Sequence, residues 1–342
     1  LANGSLALSA ALLAVGIGRG DEVITTPRTF VATASAPVLL GGRPVFADID
    51  PDTQAITADT IAPLITPRTK AIVVVHLAGW PADMPAICAL ARRHGLAVIE
   101  DCAQAHGAAL LIDGQWRSVG SFGDVAAWSF CQDKILTTGG EGGMVTTNNA
   151  ELWQRIWSLK DHGKDQQLAT APVDPRRKEF RWLHTGFGSN FRLTEMQAAI
   201  GRIQLRRLPA WQQQRACHAE TLIAALGDHP AVRIPRPPDH VRHGWYKFYA
   251  FVNKPALAIG WSRLRILEEL SDLGVPAYSG SCSEVYLEES FQQAGLAPTE
   301  PLPVARQLGQ SSLMLLVHPT ITSEQMQLMA GLIVQVLDRA VA

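Results

Sequence analysis

Charge is scarce in this chain. Asp, Glu, Lys and Arg make up 18% of its 342 residues, against about 25% in ordinary globular proteins, so a large buried interior or a subunit interface is expected. Neither sign dominates, with 30 Lys+Arg against 31 Asp+Glu and a net charge of −1. That balance excludes the basic footprint of a nucleic-acid binder and a polybasic membrane patch. Long apolar runs are missing too. The longest, residues 6–17, falls short of the ~20 residues that span a bilayer and is interrupted by Ser9 and Gly16. No charged segment with a cleavage site precedes it, so a signal peptide is not expected. The five cysteines are odd in number, scattered, and form no C-x-x-C pair, which argues against a zinc ribbon or a disulfide scaffold. These absences point to a soluble, cytoplasmic globular protein with no nucleic-acid or membrane partner.

What is present is alternation. Short apolar runs at 22–25, 44–47, 71–75, 97–101, 125–129 and 143–147 read as buried strands. Helical patterns at 6–15, 29–40, 85–93 and 152–158 lie between them, which predicts an α/β sheet with helices on both faces. The interval between Ser129 and Gly143 is too short for a helix, so a long glycine-bearing turn joins those two strands. An irregular polar stretch at 161–189 follows, with Pro172, Pro175 and the run Arg176-Arg177-Lys178. Loops of this length are usually functional or mobile. A helical pattern then runs from 194 to about 224, where Pro209 predicts a break or kink. Residues 228–238 read as a linker, 245–252 as a strand, and 262–273, 304–307 and 323–337 as helices. Two domains are therefore expected, a large α/β domain at 1–227 and a small α+β domain at 228–342.

In an open α/β sheet, ligands bind beyond the carboxyl ends of the strands, so polar residues at those ends are the candidates. Asp101 closes an apolar strand, where a carboxylate can hold a protonated heterocyclic nitrogen or a metal, or simply cap a following helix. Lys134 follows the strand ending at Ser129. A lysine among apolar and aromatic neighbours suits Schiff-base chemistry, although a lone lysine is more often a solvated surface residue. Asn3-Gly4-Ser5, ahead of the first helix, can cap it or bind an anion with its free N–H groups.

Taken together and in order, the motifs resemble a known family. They are Asn3-Gly4-Ser5; Thr29-Phe30-Val31-Ala32-Thr33; Pro44-Val45-Phe46-Ala47-Asp48-Ile49-Asp50; Ile99-Glu100-Asp101-Cys102-Ala103-Gln104; Ser129 through Lys134; and Asn190-Phe191-Arg192-Leu193-Thr194. The sequence resembles the DegT/DnrJ/EryC1/StrS sugar aminotransferases, which use pyridoxal 5′-phosphate. That resemblance implies the type I aminotransferase fold: a large cofactor domain with a mixed, mostly parallel sheet, and a smaller C-terminal α+β domain. It also implies roles. Lys134 would hold the cofactor as a Schiff base and move the proton between Cα and C4′, and Asp101 would keep the pyridine nitrogen protonated. Gln104 would lie near the ring, and Phe30 would stack on its face. Ser5, the Leu6 N–H and Ser129 would bind the phosphate, and Asn190 would reach it from a neighbouring subunit, making a homodimer with shared sites.

The implied substrates are an amino-acid donor, glutamate by expectation, and a nucleotide-linked keto sugar. No metal is implied. A sugar dehydratase of the same family would lack the Schiff-base lysine, and a non-catalytic regulator would not need the complete set Lys134, Asp101 and Gln104. Basic residues of the 161–189 loop, Arg181 and the Arg176–Lys178 run among them, are candidates for the sugar's diphosphate, with Arg192 a separate candidate for a carboxylate. Two departures from the family pattern stand out: the turn after Lys134 is one glycine longer, and Tyr278-Ser279-Gly280-Ser281-Cys282-Ser283-Glu284 replaces a stretch in which relatives often carry histidines.

Overall fold

The computed structural model describes every residue except Asp174, Pro175, Arg177 and Ala342. The first helix, α1 (Gly4–Ala14), leads into β1 (Glu22–Thr25), α2 (Val31–Leu39), β2 (Arg43–Phe46), the one-turn α3 (Ala58–Ile61), β3 (Thr69–Val75), α4 (Met84–His94) and β4 (Ala97–Asp101). A hairpin, β5 (Ala109–Ile112) and β6 (Gln115–Ser118), precedes β7 (Val125–Ser129), β8 (Gly143–Thr146), α5 (Ala150–Lys160), α6 (Gln166–Thr170) and α7 (Glu195–Leu226). The central sheet has the order β2-β1-β3-β4-β7-β8, parallel throughout except for β8, which runs antiparallel to β7. The mixed, mostly parallel α/β sheet is thus as expected.

Strand pleating divides this sheet into two buried faces. Ala71, Val73, Ile99, Val125 and Ala127 pack on one face against the Ala- and Leu-rich α1, whose Ala7, Ala10, Ala11, Leu12 and Ala14 have no exposed surface. Ile72, Val74 and Val98 pack on the other face, with Ile87 and Leu90 of α4. A helix apolar on all sides, such as α1, is stable only when enclosed.

A second sheet, β12 (Ala277–Tyr278), β13 (Ser312–Leu315), β11 (Phe248–Val252) and β9 (Val232–Arg233), is antiparallel. It packs with the second half of α7, α8 (Arg263–Asp272) and α11 (Ser323–Ala340), while α9 (Glu289–Gln293) and α10 (Pro303–Ser311) lie between β12 and β13 in the chain. The stretch expected as a linker, 228–238, therefore contributes a strand. A further pairing, β10 (Val241–Arg242) on β5, ties the C-terminal residues to the hairpin.

Three expectations are corrected. The long helix runs without a break through Pro209, because a Thr194–Gln197 capping box holds its start and burial of Ala219, Leu222 and Leu226 holds its end. The strand expected from residue 245 starts only at Phe248, since Trp245 takes a left-handed backbone (φ 48). The helix expected from residue 29 starts at Val31, after Phe30 in extended geometry. No helix among the described residues is long and apolar enough to cross a membrane.

The loop after β6 is pinned to β4 by one buried carboxylate. Glu100 accepts N–H bonds from Gly120, Phe122 and Gly123, each at 2.7 Å, and faces His76 Nε2 at 3.1 Å. Burial opposes its charge, but these bonds hold its carboxyl below the usual range. The cluster it forms with His76 and Cys102 has metal-ligand types, yet its carboxylate oxygens already serve the loop. Glu100→Gln turns one acceptor into a donor facing N–H groups. We expect it to cost about 3 kcal/mol or more in urea denaturation of the cofactor-free chain, with Glu151→Gln, on an exposed helix face, as a control within about 0.5 kcal/mol.

Candidate active site

The carboxyl ends of β3, β4 and β7 open into a cavity of ≈ 810 Å³. Period-two pleating sends Asp101 to the face opposite Glu100, toward α2. There it is buried, accepting from Thr33 Oγ1 at 2.8 Å and the Ala103 N–H at 3.1 Å. Thr33 is itself bonded to Thr29 Oγ1 at 2.8 Å. Burial raises the Asp101 carboxyl above its ordinary value, a shift that these bonds and the distant Lys134 only partly offset. No cation of the described residues pairs with it.

Lys134 follows β7 by a turn whose geometry needs its glycines. The Phe130 N–H donates to Gly142 O at 2.8 Å, and a Cβ at Gly142 would stand 2.1 Å from Thr138 Oγ1. Gly139 and Gly140 of this turn both take positive φ. Lys134 Nζ lies 3.4 Å from Asp133 Oδ1 and 5.2 Å from the Tyr246 ring centroid. Tyr246 O–H donates to Asp133 Oδ2 at 2.5 Å. Burial and that carboxylate both raise the phenol's pKa, so the ring stays neutral.

The start of α1 meets the end of β7 closely enough that a Cβ at Gly4 would stand 2.6 Å from Ser129 Cβ. Ser5 and Ser129 both line the cavity. The N–H groups of Gly4 and Ser5 have no acceptor among the described residues. Leu6 differs from expectation: its N–H is donated to Asn3 Oδ1 at 2.9 Å, because Asn3 caps the helix, and Leu6 does not line the cavity. Gln104 lines it with its Oε1 held by the Ala78 N–H at 2.8 Å, and Phe30 stands 64% exposed at its edge.

Asn190 lies outside the cavity of its own chain, exposed, with Oδ1 accepting from the Arg192 N–H at 3.2 Å. Arg192 pairs with Asp161, and Arg181 donates to Leu168 O. Arg176 and Lys178 do not line the cavity either; Arg177 lies outside the described residues. From the segment 278–284, Gly280, Ser281 and Cys282 line the cavity, the Ser281 N–H donating to Tyr249 Oη at 2.8 Å. Gly280, at φ +88, passes so close to the Tyr249 ring that a Cβ would stand 2.4 Å from it.

Sequence reasoning missed Thr33, Asp133, Tyr246 and Lys247. Thr29 and Thr33 flank Phe30 at one-turn spacing, a signal that was available; Tyr246 and Lys247 lay inside a run read as strand.

Among solved structures, the chain resembles the aminotransferase from Psychrobacter cryohalolentis, with TM-score 0.93 and 51% identity over 99% of this chain and 85% of that one. With its mixed sheet and the cavity between Asp101 and Lys134, the chain falls in the class of pyridoxal-phosphate-dependent aminotransferases of fold type I. A profile of the DegT/DnrJ/EryC1/StrS aminotransferase family matches residues 1–333, and the chain belongs to that family. It is 43% identical over 256 residues to UDP-N-acetyl-3-dehydro-alpha-D-glucosamine 3-aminotransferase of Acidithiobacillus ferrooxidans, covering 74% of this chain and 63% of that protein. It is 39% identical to GDP-perosamine synthase of Caulobacter vibrioides over 277 residues, 80% of this chain and 68% of that one.

The residues present fit pyridoxal phosphate. A buried carboxylate without a cation matches a protonated pyridine nitrogen, and the glycine-cleared start of α1 matches a phosphate. A testable consequence concerns pH. A carboxyl whose folded pKa is raised contributes stability that is full below its ordinary 3.8 and is lost as pH rises through the raised value. The cofactor-free chain should therefore lose stability relative to Asp101→Asn as pH rises above about 4, and added pyridoxal phosphate should abolish that difference. Melting temperatures of both proteins across pH, with and without cofactor, check it.

Proposed function

We propose that the protein transfers an amino group from an amino acid, L-glutamate by expectation, to a keto group of a nucleotide-linked sugar, in amino-sugar biosynthesis in the cytoplasm. The observation that supports this reading most is the shared cavity of Lys134 and Asp101, one amine and one unpaired buried carboxylate, with the start of α1 beside them. The names of the two relatives, both sugar-directed, support the substrate class.

Bound pyridoxal phosphate supplies an electrophilic carbon and an electron-withdrawing ring. Asp101 holds the proton on the ring nitrogen, and Thr33 and the Ala103 N–H fix the carboxylate's orientation. Lys134 Nζ holds the cofactor and then moves the substrate's proton. Phe30 would stack on the ring, and Gln104 would lie near it. The N–H groups of Gly4 and Ser5, with the hydroxyls of Ser5 and Ser129, take the phosphate. Tyr246 and Asp133 orient Lys134. Burial of the cavity floor strengthens each of these interactions. We place the division between the large and small domains at residues 227 and 228, after α7. The basic residues of 161–189 remain our candidates for the sugar's diphosphate, acting across a subunit boundary.

Two experiments test this. Borohydride reduction of the loaded enzyme, followed by peptide mapping, should place the pyridoxyl label on Lys134; a label on another lysine overturns the assignment. Asp101→Asn, which keeps shape and removes charge, should lower the transamination rate by about 10²-fold or more.

A homodimer with shared sites forms part of the reading. Phe180, Trp182 and Phe187 are exposed on the segment leading into α7, and Met196 in its first turn, Phe187 at 99%. Apolar exposure of this kind marks an interaction surface, and it lies beside Asn190. Inactive Lys134→Ala and Asn190→Ala chains, mixed and re-paired, should recover about a quarter of wild-type activity, the binomial yield when each mixed dimer rebuilds one intact site. No recovery, or a fully active monomer in sedimentation, would refute sharing.

A further inference from the structure

Besides Lys134, the cavity wall presents one basic residue among those described, Lys247, set against the carboxyls of Asp101, Asp133, Glu141 and Glu288. Its Nζ stands 4.8 Å from the Tyr246 ring centroid, the same ring that Lys134 Nζ approaches at 5.2 Å. The ring is held in place by its bond to Asp133, so both ammonium groups stand near one fixed ring. Asp133 pairs with Lys134 and accepts from Tyr246. No carboxylate of the described residues pairs with Lys247. Burial lowers the Lys247 pKa; Asp133 opposes this, and Arg215 and Lys134 add to it. A half-buried lysine without an anion is costly, and an apolar residue would fill the position without that cost.

Resting on the aminotransferase reading, we propose that Lys247 binds the α-carboxylate of the amino donor and so selects α-amino acids over simple amines. The donor's amine must reach the atom at which Lys134 acts. Its α-carboxylate hangs on the same carbon as that amine, so its cation must stand next to Lys134 on the cavity wall. Lys247, which lines the same cavity and approaches the same Tyr246 ring as Lys134, is the described residue that meets this requirement. The sugar's diphosphate, the other anion entering the site, is separated from the reacting keto carbon by part of the sugar ring and points farther away.

The test compares donors rather than total activity. Loaded wild-type enzyme and Lys247→Met are titrated with L-glutamate and with 4-aminobutanoate, which keeps the distal carboxylate and lacks the α-carboxylate. The cofactor's absorbance reports the half-reaction. Calorimetric titration with UDP and GDP reports the sugar side separately, and α-methyl-L-glutamate, which binds without a transferable proton, reports donor binding without turnover. We expect Lys247→Met to weaken glutamate and its α-methyl analogue by about 10–100-fold, the range for a lost hydrogen bond to a charged group, and to leave 4-aminobutanoate and the nucleotides within about twofold. Lys247→Arg should restore part of the loss, and high salt should narrow the gap.

Equal losses for both donors, a loss confined to the nucleotides, or no loss would each overturn the proposal. A wild-type enzyme whose cofactor no amino acid discharges would instead defeat the aminotransferase reading itself. The two failures are thus distinguishable.

Discussion

Two carboxylates placed side by side on one strand must face opposite sides of a sheet, and the architecture around this site depends on that constraint. On β4, Glu100 turns toward α4 and is spent on the loop at 120–123, while Asp101 turns toward α2 and the cavity. The first is fully satisfied by N–H donors and a histidine. The second receives a hydroxyl and one N–H, and no cation. Shifting the register of β4 by one residue would exchange these environments, leaving the loop without its anchor and the cavity without its acid. Pairing of Val74 with Glu100 and Val75 with Asp101 on β3, and of Asp101 with Ala127 on β7, fixes that register from both sides.

The same face that receives Asp101 also receives α1, and this brings the helix start to the cavity. The helix is held by alanines and leucines with almost no exposed surface, so its position is set by close packing rather than by polar contacts at its end. That leaves its first N–H groups free, where the helix dipole favours an anion. Gly4 against Ser129 and Gly143 against Asn3 are approaches that a side chain would block: a Cβ at Gly143 would stand 2.3 Å from Asn3 O. Small residues here are the condition for bringing the helix end and β7 together.

Much of this was legible in the sequence, for physical reasons. Buried parallel strands read as uninterrupted apolar runs, and the runs ending at Asp101 and Ser129 announced polar groups at carboxyl ends. The site's order along the chain made the family resemblance specific. The hairpin β5–β6 was missed although Asp113-Gly114 is a strong turn signal, because its second strand is exposed along its length and lacks an apolar run. Pro209 does not break its helix because a lone proline removes one hydrogen bond, whereas the helix is secured by its cap and its buried C-terminal half. Tyr246 and Lys247 were illegible for another reason: their partners Asp133 and Lys134 are more than a hundred residues away, and no local pattern encodes that contact. The Leu6 N–H, expected to face a phosphate, is taken by Asn3 Oδ1, since Asn3 acts as the helix cap, one of the two roles that Asn3-Gly4-Ser5 allowed.

The cavity, then, is a place where local charge rules are broken in complementary ways. Asp101 is a carboxylate raised by burial without a cation, and Lys247 is an ammonium lowered by burial without an anion. Neither is neutralised by the other; each is set by a separate element, β4 and the segment before β11. A fold optimised for stability alone would pair or replace both. Keeping them apart, Asp101 at the end of a strand and Lys247 against a fixed ring, leaves the site with preset charges whose counterparts arrive with cofactor and substrate, and fixed charges of this kind require little reorganisation when the reacting groups enter. The instability of the empty site and the chemistry of the filled one thus have the same origin.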